Sequence, residues 1–307
     1  MASFAYGQRP QVLLLGNGIN RCFGGNSWQS LIKTIALRSD LPEELACPLP
    51  LQAVLATNNR VNEAILNHKA ELYGTVPPSL RAQMITLLSM GFDDILTTNY
   101  SYELEAAAEG KSRITDSALR KNSANILDGQ RVEQKYLLRS YQRVSCGQRI
   151  NRVWHIHGEA RKPGSLILSQ YSYAAQIHKM REFVVERRDS YQRNQKQQKP
   201  QTVNGWLDSF LLGDVYILGF GMDYSETDIW WLLERKKRER AEHGDVYYYT
   251  PESTGFQEKE ELLTLLGVKV LHCDLPVPTG TEQQINAGYQ AFYTRAMEDI
   301  RLKMNKE

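Results

Sequence analysis

The stretch QVLLLGNGIN, residues 11–20, decides the fold. Val12 to Leu15 form an unbroken apolar run, the pattern of a strand covered on both faces of a parallel sheet. Gly16 and Gly18 follow at once and let the backbone turn with no Cβ in the way. Ser27 is placed to cap WQSLIKTIAL, where Trp28, Leu31, Ile32 and Ile35 recur at helical spacing. Strand, glycine turn, helix is how a doubly wound α/β domain opens, and the turn is a candidate phosphate site.

Further along, FDDILTTNY (92–100), RVWHIHG (152–158), VYILGFG (215–221), DVYYYT (245–250) and VKVLHCD (268–274) read as strands alternating with helical segments. That alternation predicts an α/β fold with a doubly wound, mainly parallel, Rossmann-like sheet. Segments of about 40–90 and 110–205 lie between strands as helical insertions and are expected to form a cap. The whole of 1–307 is read as a single domain. Ser225 and Asp228 are spaced as a capping box for the helix that follows VYILGFG.

Composition narrows the function classes. Hydrophobic content of 42% and charged content of 23% are ordinary for a globular protein. A net charge of +2 gives no global field toward nucleic acid or membrane. Residues 179–199 hold seven Lys/Arg against three acids. They read as a solvated helix or loop, so a nucleic-acid partner is not expected. No basic segment leads into an apolar run at the start, and no run reaches membrane-span length, so neither a signal peptide nor a membrane partner is expected. Cys22, Cys47, Cys146 and Cys273 are scattered without a CxxC pair. Neither a zinc ribbon nor a disulfide framework is implied, and a cytoplasmic location fits.

Four polar clusters follow apolar runs: GNGIN at 16–20, TTNYS at 97–101, HIHGE at 155–159 and GFGMDYSETD at 219–228. Strand C-termini of a parallel sheet share one edge, so these clusters are expected to converge there. His155 and His157 are i,i+2 and share a face if the strand continues. Three readings are open for them: a metal pair lacking a clear third ligand, a hydrogen-bonded packing layer, or a base released by Gly158 into a cleft.

Taken in order, LLGNGIN, ILTTNYS, WHIHGE and YILGFGMDYSETDIWWLL resemble the sirtuin-type NAD-binding domain. The resemblance is narrower still to the sirtuin-like NAD hydrolases of bacterial anti-phage defence, over about residues 12–274. It implies NAD as substrate; because no third ligand stands clearly beside the two histidines, no metal is expected. It implies that His157 and Asn99 are catalytic, His157 as the base and Asn99 positioning the ribose. It places Gly16, Asn17, Gly18, Asn20 and Thr98 at the cofactor, with Gly219, Gly221 and Asp223 nearer the adenosine. His155 is left to packing or support. Three departures argue against protein deacylation: no four-cysteine zinc module, RCFGGNSW in place of a Pro-Asp-Phe-Arg run, and Ser101 where sirtuins often carry Asp.

The resulting expectation is an NAD hydrolase releasing nicotinamide and ADP-ribose, a regulated NAD-depleting effector. The alternatives are a silent NAD or nucleotide sensor, and an NAD-dependent deacylase or ADP-ribosyltransferase. Because unrestrained NAD cleavage harms its host, the partners expected are a homo-oligomer and a regulatory protein in trans, such as an ATPase or a phage-sensing protein.

Overall fold

The computed structural model describes residues 2–5, 7–25, 27–37, 47–238, 244–252 and 257–305. The chain begins with β1 (Ala2–Phe4), β2 (Gln11–Leu15), α1 (Gly18–Arg21), α2 (Trp28–Ile35), α3 (Leu49–Ala56), α4 (Val61–Asn67), α5 (Lys69–Leu72) and α6 (Pro78–Ser89). It continues with β3 (Asp94–Thr97), α7 (Glu103–Ala108), α8 (Asp116–Asn122), β4 (Ser123–Asn125), β5 (Ser140–Cys146), β6 (Arg149–His155) and α9 (Gln170–Lys196). The remainder is β7 (Gln201–Val203), α10 (Trp206–Leu212), β8 (Asp214–Leu218), α11 (Thr227–Arg238), β9 (Val246–Tyr249), α12 (Gln257–Leu265), β10 (Val268–Leu271) and α13 (Glu282–Met304).

Eight strands form one sheet in the order β10-β9-β8-β2-β3-β6-β5-β4, and β1 pairs with β7 apart from it. From β10 to β6 every pairing is parallel, while β6-β5 and β5-β4 are antiparallel. The expected doubly wound, mainly parallel sheet is therefore the one observed. β2 lies at its centre, with β3 on one side and β8 on the other, so the strand order reverses there. At such a reversal the connections leave the strand ends in opposite directions and open a crevice.

The apolar run in β2 is explained by burial on both faces. Leu13 and Leu15 join a core with Ile95 and Val153, roofed by the helices from α2 to α8 and by α13. Val12 and Leu14 join a second core with Leu96, Trp154 and Ile217, closed by α9, α10 and α11. Ser27 caps α2 as the sequence predicts, its side chain accepting from the Ser30 amide at 3.0 Å. Segment 110–205 is not helical throughout: β4 and β5 extend the sheet between α8 and α9. Their polar sequence reflects the outer end of the sheet, where alternate β5 residues face solvent.

The Ser225/Asp228 capping box does not form. The Ser225 amide and hydroxyl both donate to Asp223 Oδ1, at 2.8 and 2.7 Å. Asp228 is instead turned inward, where it meets His157. In α11, Lys236 is buried and its ammonium donates to the carbonyls of Phe210, Leu211 and Gly213 at 2.8, 3.0 and 2.5 Å. It thereby caps the C-terminal end of α10. Lys236→Met is expected to leave these carbonyls unpaired and to cost about 2–4 kcal/mol, read as a lowered urea midpoint. An unchanged midpoint would mean that the cap adds nothing.

Candidate functional site

At the C-terminal ends of β2 and β3 lies a cavity of about 390 Å³. Its polar wall comes from the segments that leave these two strands: Asn17 and Asn20, then Thr98, Asn99, Ser101 and Glu103. Phe23, Trp28 and Tyr100 supply aromatic surface, with Trp28 edge-on to Tyr100 at 5.5 Å. Glu71, Leu72, Gly74 and Thr75, from α5 and the turn after it, close the far side. The first insertion thus contributes a wall. Among the described residues that line the cavity there is no Lys, Arg or His.

Asn17, Asn20, Thr98 and Asn99 of the sequence-predicted set line this cavity, whereas Gly16, Gly18, Gly219, Gly221, Asp223 and His157 do not. The glycines act on one another. Gly16 and Gly18 donate to the carbonyls of Leu218 and Gly219 at 2.9 and 2.7 Å. A Cβ on Gly16 would fall 2.6 Å from Phe220 Cα, so only glycine permits the two turns to lie together. Gly221 has open space around it, and Asp223 is exposed, accepting from Ser225. Asn99 sits where the chain leaves β3, its side-chain amide 3.5 Å from the Gly16 carbonyl. Asn20 donates to Asn17 Oδ1 at 3.1 Å, while its own buried Oδ1 has no hydrogen-bond partner among the described residues.

The two histidines do not share a site. β6 ends at His155, and the chain turns before His157. His155 points toward α7, where Nδ1–H donates to the Asn99 carbonyl at 2.9 Å and Nε2 meets Glu105 Oε1 at 3.0 Å. Burial opposes a charge on this ring, but Glu105 and the neighbouring acceptors outweigh it and raise the pKa to about 9. The resulting imidazolium braces the backbone of Asn99 from behind. Glu159 is no partner of a histidine–metal pair: it accepts from Lys162 at 2.7 Å and from Gln142 at 3.0 Å.

His157 points toward α11 and is fully buried. Nε2–H donates to Asp228 Oδ2 at 2.9 Å. Nδ1 lies 3.6 Å from Glu226 Oε2 and has no hydrogen-bond partner among the described residues. The Tyr173 hydroxyl donates to the same Glu226 oxygen at 2.7 Å, and its ring meets His157 edge-on. Burial works against a charged ring, but Asp228 and then Glu226 raise the His157 pKa. Burial raises the Glu226 pKa. His157, Glu226 and Asp228 offer ligand atoms within 4.8 Å of one another, a set that can hold a divalent ion. The same groups also form a carboxylate–imidazole dyad, in which Asp228 sets the tautomer and leaves Nδ1 as the free ring nitrogen.

Tyr100 relates the two sites. Its ring lines the cavity, and its hydroxyl lies within electrostatic reach of Glu226 and Asp228. That hydroxyl donates to the Ile167 carbonyl at 2.8 Å. The motif reading missed Glu103, Glu105, Glu226, Asp228 and Tyr173. The only signal of the four acids was their place among apolar neighbours, as in YELEAAA and SETDIWW, and Tyr173 carried none.

A pH test follows from His155. Its folded pKa, about 9, lies above the unfolded value of about 6.5. The ion pair therefore stabilises fully below pH 6.5, and the contribution is lost as pH rises through 9. The stability difference between wild type and His155→Gln is expected to shrink by roughly 2–3 kcal/mol between pH 6 and pH 10. Urea denaturation at the two pH values measures it, and a constant difference would exclude a charged His155.

A family model described as a SIR2-like domain matches residues 93–271. That span runs from β3 through β10 and contains Asn99, both histidines and the Gly219 turn. No curated protein matches the chain.

Proposed function

Because the chain belongs to the SIR2-like domain family, matched over more than half its length, we propose that it is an NAD hydrolase. It cleaves the nicotinamide–ribose bond to give nicotinamide and ADP-ribose. The observation that carries this reading is the placement of Asn99 in the wall of a cavity at the strand-order reversal, beside Asn17 and Asn20.

The nicotinamide of NAD is already cationic and leaves without a general acid. The ribosyl centre passes through an oxocarbenium-like state, so the protein must orient the ribose, shelter the cation and activate water. Asn99 holds a ribose hydroxyl or the water through its amide without adding charge. His157 is the base: Asp228 fixes Nε2–H, and Nδ1 accepts the proton. His157 is fully buried and must become accessible to meet substrate. Tyr100, which lines the cavity and lies within electrostatic reach of Glu226 and Asp228, is the residue at which this reading places the restraint.

In this reading the protein is a regulated, NAD-depleting effector of anti-phage defence. It works in the cytoplasm as a homo-oligomer, under a partner protein in trans such as an ATPase or phage sensor. Unpaired thiols at all four cysteines agree with a reducing compartment. Among the described residues no helix is long and apolar enough to cross a membrane. One observation favours a second reading, a silent NAD sensor: the complete burial of His157.

The deciding experiment incubates concentrated protein with NAD and quantifies products by chromatography. Nicotinamide and ADP-ribose in equal amounts are expected. Binding without release would favour the sensor, and ADP-ribose retained on protein would indicate a transferase.

A further inference from the structure

The strongest feature outside the assigned set is Glu103. Its carboxyl is buried, yet it lines both the main cavity and a smaller recess behind it that reaches His155. The Ser101 hydroxyl donates to Oε2 at 2.7 Å and fixes the group. Opposite, Gly74 has a φ of +73°, and a Cβ there would fall 2.5 Å from Glu103 Oε1. A side chain at 74 would push the carboxyl away, so the turn after α5 keeps space for it. Among the described residues no Lys, Arg or His forms an ion pair with Glu103, because His155 is taken by Glu105. Burial accordingly raises its pKa.

The rest of the cavity has the same character. Glu71 also lines it, and among the described residues no cationic side chain does. Phe23, Trp28 and Tyr100 offer ring surface, on which an aromatic cation is favoured. Asn20, whose buried Oδ1 is an acceptor with no hydrogen-bond partner among the described residues, lines both the cavity and the recess. Acids, aromatic rings and free acceptors suit a flat cation bearing amide or hydroxyl donors, and they repel a phosphate. A phosphate would instead need N–H donors or cationic side chains.

We infer that Glu103, held by Ser101 and given room by Gly74, is the specificity residue that receives the cationic pyridinium end of the dinucleotide and discriminates against its neutral, reduced form. This rests on the NAD reading. Within that reading it assigns the cavity to the nicotinamide half, leaving the phosphates outside it. The bound cation supplies the counter-charge that Glu103 lacks.

The test uses full-length protein and the carbocyclic analogue of NAD, which lacks the ribosyl oxygen and is not cleaved. Dissociation constants are measured by calorimetry for its oxidised and reduced forms and for ADP-ribose. Wild type is expected to bind the oxidised form about 10-fold or more tightly than the reduced form, a preference of order one charge pair in a partly dry site. Glu103→Gln, which keeps an acceptor for Ser101, should bring the two within about 3-fold and leave ADP-ribose within about 2-fold. Glu103→Asp retains the charge and should keep part of the preference, separating loss of charge from loss of folding. Thermal melting confirms that each variant is folded.

Equal binding of both forms by wild type would overturn the inference while leaving the NAD reading intact. So would a Glu103→Gln effect as large on ADP-ribose as on the oxidised analogue, since the cavity would then hold the other half. Failure of all three ligands to bind wild type would overturn the NAD reading itself, and the inference with it.

Discussion

Asn99→Ala is expected to lower nicotinamide release from NAD by roughly 100- to 1000-fold, the range for losing a positioned polar group at a developing charge. The fold should survive. Asn99 is only half-buried, and its one side-chain hydrogen bond, to Gly16, is long at 3.5 Å. The groups that fix the loop are backbone ones: the Asn99 amide donates to Thr97 Oγ1, and its carbonyl accepts from His155. Alanine retains both. The companion variant is His157→Gln, not His157→Ala. Alanine would strand Asp228 and Glu226 as buried acids without their imidazole. Glutamine retains a donor toward Asp228 and cannot act as a base. Its release rate should fall by roughly 10²- to 10⁴-fold with the protein still folded. Full activity in a folded His157→Gln would place the base elsewhere. Full activity in Asn99→Ala would remove the observation on which the proposed function rests.

Asp94→Ala should produce the largest loss of stability, about 3–5 kcal/mol, with a correspondingly lower urea midpoint. Asp94 opens β3 and is fully buried. It accepts from Arg152 Nε and its terminal nitrogen at 2.7 and 2.8 Å, from Trp154 Nε1 at 2.6 Å and from the Ser209 hydroxyl at 2.6 Å. One carboxylate thus ties β3 to β6 and to α10. Removing it leaves a mostly buried guanidinium uncompensated and two further donors unpaired. Asp94→Asn keeps the shape but loses the charge, and should fall between alanine and wild type. If Asp94→Ala melts like wild type, water or another acceptor satisfies Arg152, and the hub has no energetic role.

The candidate site was legible in part. Asn17, Asn20, Thr98 and Asn99 stand at strand ends, and the rule that parallel strands present their C-termini together suffices to gather them. Glu103 escapes a linear reading because an acid four residues after a catalytic-type Asn, at the start of α7, reads as an ordinary helix-start residue. The pairing of the histidines was beyond a linear reading. Glu105 lies 50 residues from His155, and Asp228 lies 71 from His157. The i,i+2 rule set them on one face, but it holds only while the strand lasts, and β6 stops at His155.

By itself the sequence determined the architecture: a buried central strand at 12–15, the glycine turns at 16–18 and 219, and the alternation that makes a parallel sheet. Those features follow from near-neighbour chemistry, namely apolar runs, missing Cβ atoms and helical periodicity, and such signals survive in one dimension. Only the tertiary structure decided that Gly16 and Gly18 make room for Gly219 and Phe220, that His155 braces Asn99, and that Asp228 turns inward to His157. It alone placed Glu103, Ser101 and Gly74 around one cavity. These are pairings of buried polar groups across long separations. A polar group's partner is set by which surfaces are excluded from water together, and that is a property of the packed chain.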